Sequence, residues 1–150
     1  MALRSGARRS SLGLVEWSVS GRALVFFGAM LLLTDARWVL AAAAAAAVHE
    51  LGHLAVLWLY GRRIFGFRAD LGGAVIRTEP LPAREELLCA LAGPLAGLLT
   101  VLFFRFLPRL ACCAAVQSFY NLLPIYPLDG GRVCRNFRNI CCKDGPKGVQ

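Results

Sequence analysis

A continuous apolar run from Trp38 to Tyr60 constrains the fold of this chain more than any other feature. Its centre is a block of alanines, Ala41 to Ala47, and alanine is the best helix former among the residues. At about 1.5 Å per residue, a helix of this length crosses the roughly 30 Å hydrocarbon core of a bilayer. The run therefore predicts a membrane-spanning helix that ends before Arg62 and Arg63.

The composition agrees with membrane insertion. Hydrophobic residues make up 57% of the 150 residues and the mean hydropathy is +0.57, which is more apolar than a typical soluble domain of this size. The formal net charge of +8 could also indicate a nucleic-acid partner. However, the basic residues fall between apolar runs, without aromatic interleaving and without a recognised nucleic-acid module. We therefore expect the lipid bilayer, and no nucleic acid, as the partner.

Three further apolar segments accompany the first run, at roughly residues 23–34, 87–106 and 110–123. Between the run from Trp38 to Tyr60, which is the second segment along the chain, and the third segment at 87–106, β-branched and aromatic runs flank a glycine turn. They predict a hairpin over residues 63–78. The predicted fold class is thus an all-α polytopic membrane protein, with about four membrane segments and a small β-hairpin between the second and third. Segment 23–34 is short for a span, and a cleavable signal peptide is its competing interpretation.

The distribution of charge predicts the orientation in the membrane. With the N-terminus inside, fourteen basic residues fall in cytoplasmic regions and three on the opposite side. Since cytoplasmic loops carry the excess of Lys and Arg, we expect a multi-pass cell-membrane protein with both termini in the cytoplasm. Three regions follow: a basic cytoplasmic flank at 1–22, a membrane-embedded core at 23–132 and a short basic tail at 133–150. Within the tail, residues 133–142 could form a short amphipathic helix.

The two histidines of the chain lie inside the apolar run, in the tract His49-Glu50-Leu51-Gly52-His53. On a helix, H-E-x-x-H places two imidazoles on one face at the spacing that binds one zinc ion, with the glutamate placed to act on a water molecule. Without a metal, these groups would be costly to bury at this depth. The tract therefore predicts a Zn²⁺ site with His49 and His53 as ligands.

A third ligand must be a carboxylate or a cysteine, since catalytic zinc usually takes three protein ligands and the chain has no third histidine. The six cysteines lack the two separated C-x-x-C pairs of a zinc site and are expected to be free thiols. Asp35 and Asp70 are ordinary turn residues, and Asp144 lies in the tail. Asp129 follows an apolar segment and precedes two glycines. By itself it would be another Asp-Gly turn, but beside a two-histidine site it is the leading candidate.

Three motifs in this order carry a resemblance to a known family: His49 to His53, Ala92-Gly93-Pro94, and the N-x-x-P-x-x-P-L-D-G tract from Asn121 to Gly130. Together they resemble the site-2 protease family of intramembrane zinc metalloproteases. The last motif is similar to that of the bacterial sporulation branch, which processes a sigma-factor precursor. The resemblance covers roughly residues 20–135.

The resemblance implies a zinc metalloendopeptidase that cleaves membrane-associated protein substrates near the cytoplasmic side, with a sporulation or transcription-factor precursor as one substrate class. It implies His49, His53 and Asp129 as zinc ligands and Glu50 as the general base. Asn121 would be a second catalytic residue, which holds the substrate backbone or the developing oxyanion. The hairpin would present an extended substrate by strand addition. A regulatory membrane protein is a further expected partner.

Two other functions stay open from the sequence. Members of this branch continue after the aspartate motif with further membrane helices, whereas 21 residues follow Asp129 here. A catalytically inactive, truncated family member that binds client proteins at the membrane is therefore the alternative. A metal transporter is a weaker third, because one histidine pair and one aspartate make a sparse ion pathway.

Overall fold

The computed structural model describes residues 16–19, 21–70 and 73–143. Its helices are α1 (Gly21–Leu33), α2 (Ala36–Leu59), α3 (Ala83–Leu99), α4 (Pro108–Asn121) and α5 (Asp129–Lys143). Its strands are β1 (Glu16–Val19), β2 (Ile64–Asp70) and β3 (Gly73–Thr78), and a 3-10 turn over Thr100–Phe103 extends α3. Residues 1–15 and 144–150, which hold much of the predicted basic flank and part of the predicted tail, lie outside the described residues.

Helix α2 confirms the helix predicted from the apolar run, and both of its ends have a local cause. At its start, a side-chain oxygen of Asp35 accepts a hydrogen bond from the backbone N–H of Arg37 at 2.9 Å, which caps the first turn. At its end, Gly61 has a φ of 61°, and the N–H of Arg62 donates to the carbonyl of Leu57. Glycine adopts this left-handed conformation without a steric penalty, so the helix stops there.

Helices α2 and α3 approach each other closely through small residues. A Cβ on Gly52 would overlap the carbonyl oxygen of Ala92 and lie 2.8 Å from the Cβ of Ala96. On the other face of α3, a Cβ on Gly97 would overlap the hydroxyl of Ser118 in α4. Close backbone approach through glycine and alanine is how membrane helices gain packing energy, because lipid supplies no hydrophobic drive between them.

Two helices are long and apolar enough to cross a membrane: Ala36–Leu59, with 24 residues, and Ala83–Phe103, with 21 residues. Helices α1 and α4 have 13 and 14 residues and so extend about 20 Å each, less than the hydrocarbon core. Two of the about four predicted membrane segments are therefore long and apolar enough to span a bilayer. The prediction of about four membrane segments stays a prediction for the two shorter helices.

The predicted hairpin is present, and a third strand extends it. Strands β2 and β3 pair antiparallel, with Ile64 opposite Thr78 and Asp70 opposite Gly73. Strand β1 pairs parallel with the other edge of β2, with Glu16 opposite Gly66. The sequence showed no sign of β1, because four residues in a polar stretch carry no clear alternation and a parallel partner is distant along the chain. The fold is therefore mainly helical with a three-stranded sheet.

Large apolar side chains point outward from the described helices, whereas small ones fill the interior. Ala45, Ala90 and Ala114 are buried. Leu32 and Trp58 are 88% and 80% exposed. A soluble domain would not leave so much apolar surface in water, so this distribution fits helices that face lipid.

Candidate metal centre

Three buried donor atoms from two distant parts of the chain meet at one point. His49 and His53 lie one turn apart on α2, and Asp129 is the first residue of α5. The Nε2 atoms of the two histidines are 3.1 Å apart, and Oδ2 of Asp129 lies 3.1 Å from Nε2 of His49 and 3.2 Å from Nε2 of His53. All three residues are at most 7% exposed. The donors therefore form a nearly equilateral triangle in the interior.

The orientation of His53 is set by the backbone of α3. Its Nδ1–H donates to the carbonyl oxygen of Cys89 at 2.7 Å. A neutral imidazole that donates from Nδ1 presents a lone pair at Nε2, and metal-binding histidines are usually oriented by a contact of this kind. The edge-to-face arrangement of the two rings, at an interplanar angle of 81°, turns both Nε2 atoms towards the same point.

Gly93 leaves room for the two imidazoles of the site. A Cβ at this position of α3 would overlap Nε2 of His53 and lie 2.9 Å from Nε2 of His49. A side chain at position 93 would therefore collide with the imidazoles of both histidines, and glycine leaves the two rings room to converge. Gly93 in the Ala92-Gly93-Pro94 motif is thus explained by the site as well as by helix packing.

Asp129 is held from both sides. The backbone of the preceding loop lies so close that a Cβ on Gly130 would overlap the carbonyl of Leu122. On the other side, Nη1 of Arg132 lies 3.2 Å from Oδ1 of Asp129. This contact occupies one carboxylate oxygen and leaves Oδ2 directed at the histidines. The guanidinium also lies 3.7 Å from a carboxylate oxygen of Glu86 in α3, which links the ligand to a second helix.

The three donors fit a zinc ion. Two imidazole nitrogens and one carboxylate oxygen are a typical donor set of catalytic zinc, which keeps its fourth position open. Tetrahedral bonds of about 2.0–2.1 Å place neighbouring ligand atoms roughly 3.4 Å apart, close to the 3.1–3.2 Å separations in this triangle. Within the part of the chain that the structure describes, the group that could hold a metal consists of these three residues. The predicted cofactor, Zn²⁺, is therefore compatible with the geometry.

The two predicted catalytic residues lie close in sequence to the three donors but are not part of the donor group. Glu50 follows His49 on α2 and is partly buried. Asn121 is the last residue of α4, partly buried, just before the loop that leads to Asp129. Their roles as general base and oxyanion or backbone holder stay predictions.

Sequence reasoning did not find the residues that support the ligands. Arg132 lies two residues beyond the Asn121–Gly130 tract, and its contact with Glu86 depends on how α5 packs against α3. Glu86 lies in the first turn of α3, where an acid is favourable in any helix, so its sequence position does not reveal its contacts. For Cys89, the functional atom is a backbone carbonyl, and no side-chain pattern can reveal it.

Comparisons with known proteins agree with this site. No family model matches the chain. A zinc metalloprotease from Methanocaldococcus jannaschii is 30% identical over 102 residues, which cover 59% of this chain and 30% of that relative. The solved site-2 protease from Methanocaldococcus jannaschii matches with a TM-score of 0.63 and 26% identity, covering 82% of this chain and 64% of that one.

The sequence similarity is to a zinc metalloprotease and the structural similarity is to site-2 protease. The resemblance stated from the motifs is thus supported at that level by sequence and by fold. The chain spans less than a third of the curated relative and under two thirds of the solved structure. Activity and substrate are therefore matters for proposal, as is the sporulation branch.

Proposed function

We propose that this chain is the core of an intramembrane zinc metalloendopeptidase of the site-2 protease type. The observation that carries the proposal is the buried triangle of His49, His53 and Asp129, which has the donor set and spacing of a catalytic zinc site. The similarity to a zinc metalloprotease and to site-2 protease supports it independently.

In the proposed reaction a peptide bond is hydrolysed by water. A zinc ion held by the triangle would polarise the scissile carbonyl and acidify a neighbouring water molecule. Glu50, next to a ligand on α2, accepts the proton from that water and returns it to the leaving amine. Asn121 donates from its amide to the substrate backbone or to the developing oxyanion. Arg132 keeps Asp129 oriented and so positions the site without touching substrate.

A membrane location follows from the dimensions of α2. Trp38 and Trp58 are twenty residues apart, about 30 Å along a helix, which matches the hydrocarbon thickness and the preference of Trp for both interfaces. In each of the two long helices, 28% of the most apolar stretch is buried, so most of it is free to face lipid. We further propose that about four segments cross the membrane and that both termini lie in the cytoplasm. The excess of Lys and Arg in the regions assigned to the cytoplasm supports this orientation.

The depth of the site supports cleavage near the cytoplasmic side. His53 and His49 lie six and ten residues before Leu59, the last residue of α2, which corresponds to about 9 and 15 Å along the axis. In the proposed orientation that end of α2 faces the cytoplasm. The substrates would be membrane-associated proteins that unwind locally. Strand β3 is an edge of the sheet among the described strands, and an extended segment could add to it. As the specific substrate we propose a sporulation or transcription-factor precursor, and as a further partner a regulatory membrane protein. Both proposals are supported by the sequence motif alone.

Substitution of Glu50 tests the proposed chemistry. The chain and its Glu50→Gln variant are each co-expressed with candidate membrane-anchored precursors, and the products are separated by size. We expect wild type to shorten one of the precursors and Glu50→Gln to lower the rate by at least about a hundredfold, since a general base contributes about 10²–10⁴-fold. Purified Glu50→Gln should still bind one zinc ion per chain, because the glutamate is not a ligand.

The outcomes separate the candidate functions. Cleavage that survives Glu50→Gln would contradict the general-base role. If wild type binds zinc and retains a precursor without shortening it, the membrane client-binding function is favoured instead. Absence of bound zinc in wild type, with Asp129→Asn as the matched control, would contradict the metal centre itself.

A further inference from the structure

Helix α5 has an exposed face that the proposed proteolysis does not use. Asp129 and Asn136 are buried, which defines the face that packs on the rest of the protein. Away from it, Cys134, Phe137 and Cys141 are exposed, Phe137 by 61%. At about 100° per residue, these three positions fall within roughly 60° of one another around the helix. They form a continuous apolar stripe, which we call the α5 stripe.

Cationic groups flank the α5 stripe along one side. Arg138 is exposed, and Arg135, whose guanidinium lies 5.4 Å from the ring centre of Tyr126, is exposed as well. Both arginines line a groove of about 350 Å³, together with Pro124, Tyr126, Gly131 and Cys134. An apolar stripe with arginines beside it is the pattern of a helix that lies in the interface of a bilayer.

The contacts of α5 place the stripe at the cytoplasmic edge of the helical core. Nη2 of Arg135 lies 2.8 Å from a carboxylate oxygen of Glu86, in the first turn of α3. The neighbouring Glu85 forms a bidentate ion pair with Arg62, just beyond the end of α2, at 2.7 and 2.8 Å. Starting from the buried Asp129, α5 therefore reaches within two turns the ends of α2 and α3 that face the cytoplasm in the proposed orientation.

We propose that the α5 stripe docks on the anionic lipid surface of the cytoplasmic leaflet, with Phe137 in the apolar layer and Arg135 and Arg138 at the phosphates. Charge complementarity selects anionic lipid over a protein partner, because two exposed arginines lie directly beside the apolar stripe on one short helix. The inference rests on the membrane location in the proposed function. It also links the bilayer to the metal centre, since the helix that docks begins with the ligand Asp129.

Two adjacent cysteines provide an internal control for the test. Cys141 lies in the α5 stripe, whereas Cys142 is rotated by about 100° to the side of the two arginines, and both are exposed. The full chain is reconstituted in vesicles that contain phosphatidylglycerol or only phosphatidylcholine, then labelled with a membrane-impermeant maleimide. Peptide mapping gives the rate at each cysteine, and the ratio of Cys141 to Cys142 cancels any mixture of orientations. Single-cysteine variants at 141 and 142 repeat the measurement.

In phosphatidylglycerol vesicles we expect Cys141 to react about tenfold more slowly than Cys142, since the stripe is covered by lipid. The ratio should rise towards one in phosphatidylcholine vesicles and at 1 M salt, where the screening length is about 3 Å. Phe137→Ser should raise it as well, and Asn139→Ser, on another exposed face, should not. Equal rates in phosphatidylglycerol vesicles, or a ratio insensitive to lipid charge, would overturn the proposal. Labelling requires neither zinc nor cleavage, so a failure of the proposed proteolysis would leave this result unchanged.

Discussion

A backbone carbonyl, and not a second side chain, orients His53. Because the Nδ1–H of this histidine donates to Cys89 of α3, its free lone pair faces the other two donors. Asp129 is oriented differently, by the guanidinium of Arg132 on its other oxygen. Each of these two ligands is thus fixed by a neighbour from the helices that enclose the site. Loss of such a supporting contact typically lowers metal affinity or activity by about 10–100-fold.

Arg132→Gln should weaken zinc binding by about 10–100-fold, because the carboxylate of Asp129 loses the contact that aims Oδ2 at the histidines. Competition with a chromophoric chelator measures the affinity in detergent. Arg135→Gln is the matched control: it also removes a cationic partner of Glu86, but it does not touch Asp129. If the two variants bind zinc equally well, the positioning role of Arg132 is wrong.

At the scale of elements, glycines determine how closely α2 and α3 pack. Gly52 faces the backbone of Ala92, and Gly93 faces the imidazoles of α2. Gly52 belongs to α2 and Gly93 to α3, so the two helices contact each other with almost no side chain between their backbones. The distance between the histidines and the Cys89 carbonyl depends on this close approach.

Gly52→Ala should therefore destabilise the protein by about 1–3 kcal/mol, the usual cost of forcing an extra carbon into a packed interior. Thermal or denaturant unfolding in detergent, followed by circular dichroism with chelator present, separates this packing effect from zinc binding. Gly28→Ala in α1 is the control, since a Cβ there meets no atom within 4 Å. Equal stabilities of the two variants would show that the helix pair tolerates separation at Gly52.

The sequence predicted the elements whose signals are local. The apolar run predicted α2, the glycine turn predicted the hairpin, and the spacing of His49 and His53 predicted their common face. Asp129 could be predicted only together with the two histidines, which lack a third ligand, since an Asp-Gly pair alone is ordinary turn chemistry. Strand β1 and the contacts of Arg132 and Glu86 could not be predicted, because they depend on the packing of segments far apart along the chain.

At the scale of the whole molecule, the metal centre is also a cross-link. Its donors come from α2 and α5, and the α5 ligand is tied through Arg132 to α3. An ion bound there would join the helices that form the interior of the described structure. Binding that occurs only in the folded state stabilises that state by mass action.

Removal of zinc should therefore lower the unfolding midpoint of the full chain. At free zinc a hundredfold above the dissociation constant, we expect a stabilisation of about 2.7 kcal/mol relative to the chelated protein. Unfolding in detergent with zinc or with EDTA measures the difference, and Asp129→Asn should abolish it. A wild-type midpoint that is indifferent to zinc would argue against a metal that bridges these helices.

The separation of 80 residues between His49 and Asp129 has a consequence for biosynthesis. A ribosome adds about 5–20 residues per second, so the nascent chain carries the histidine helix for roughly 4–16 s before its aspartate exists. Throughout that interval the growing polypeptide lacks one of the three donors. If the proposed function holds, the nascent chain could therefore not cleave the translocation machinery or neighbouring nascent proteins until α5 is made.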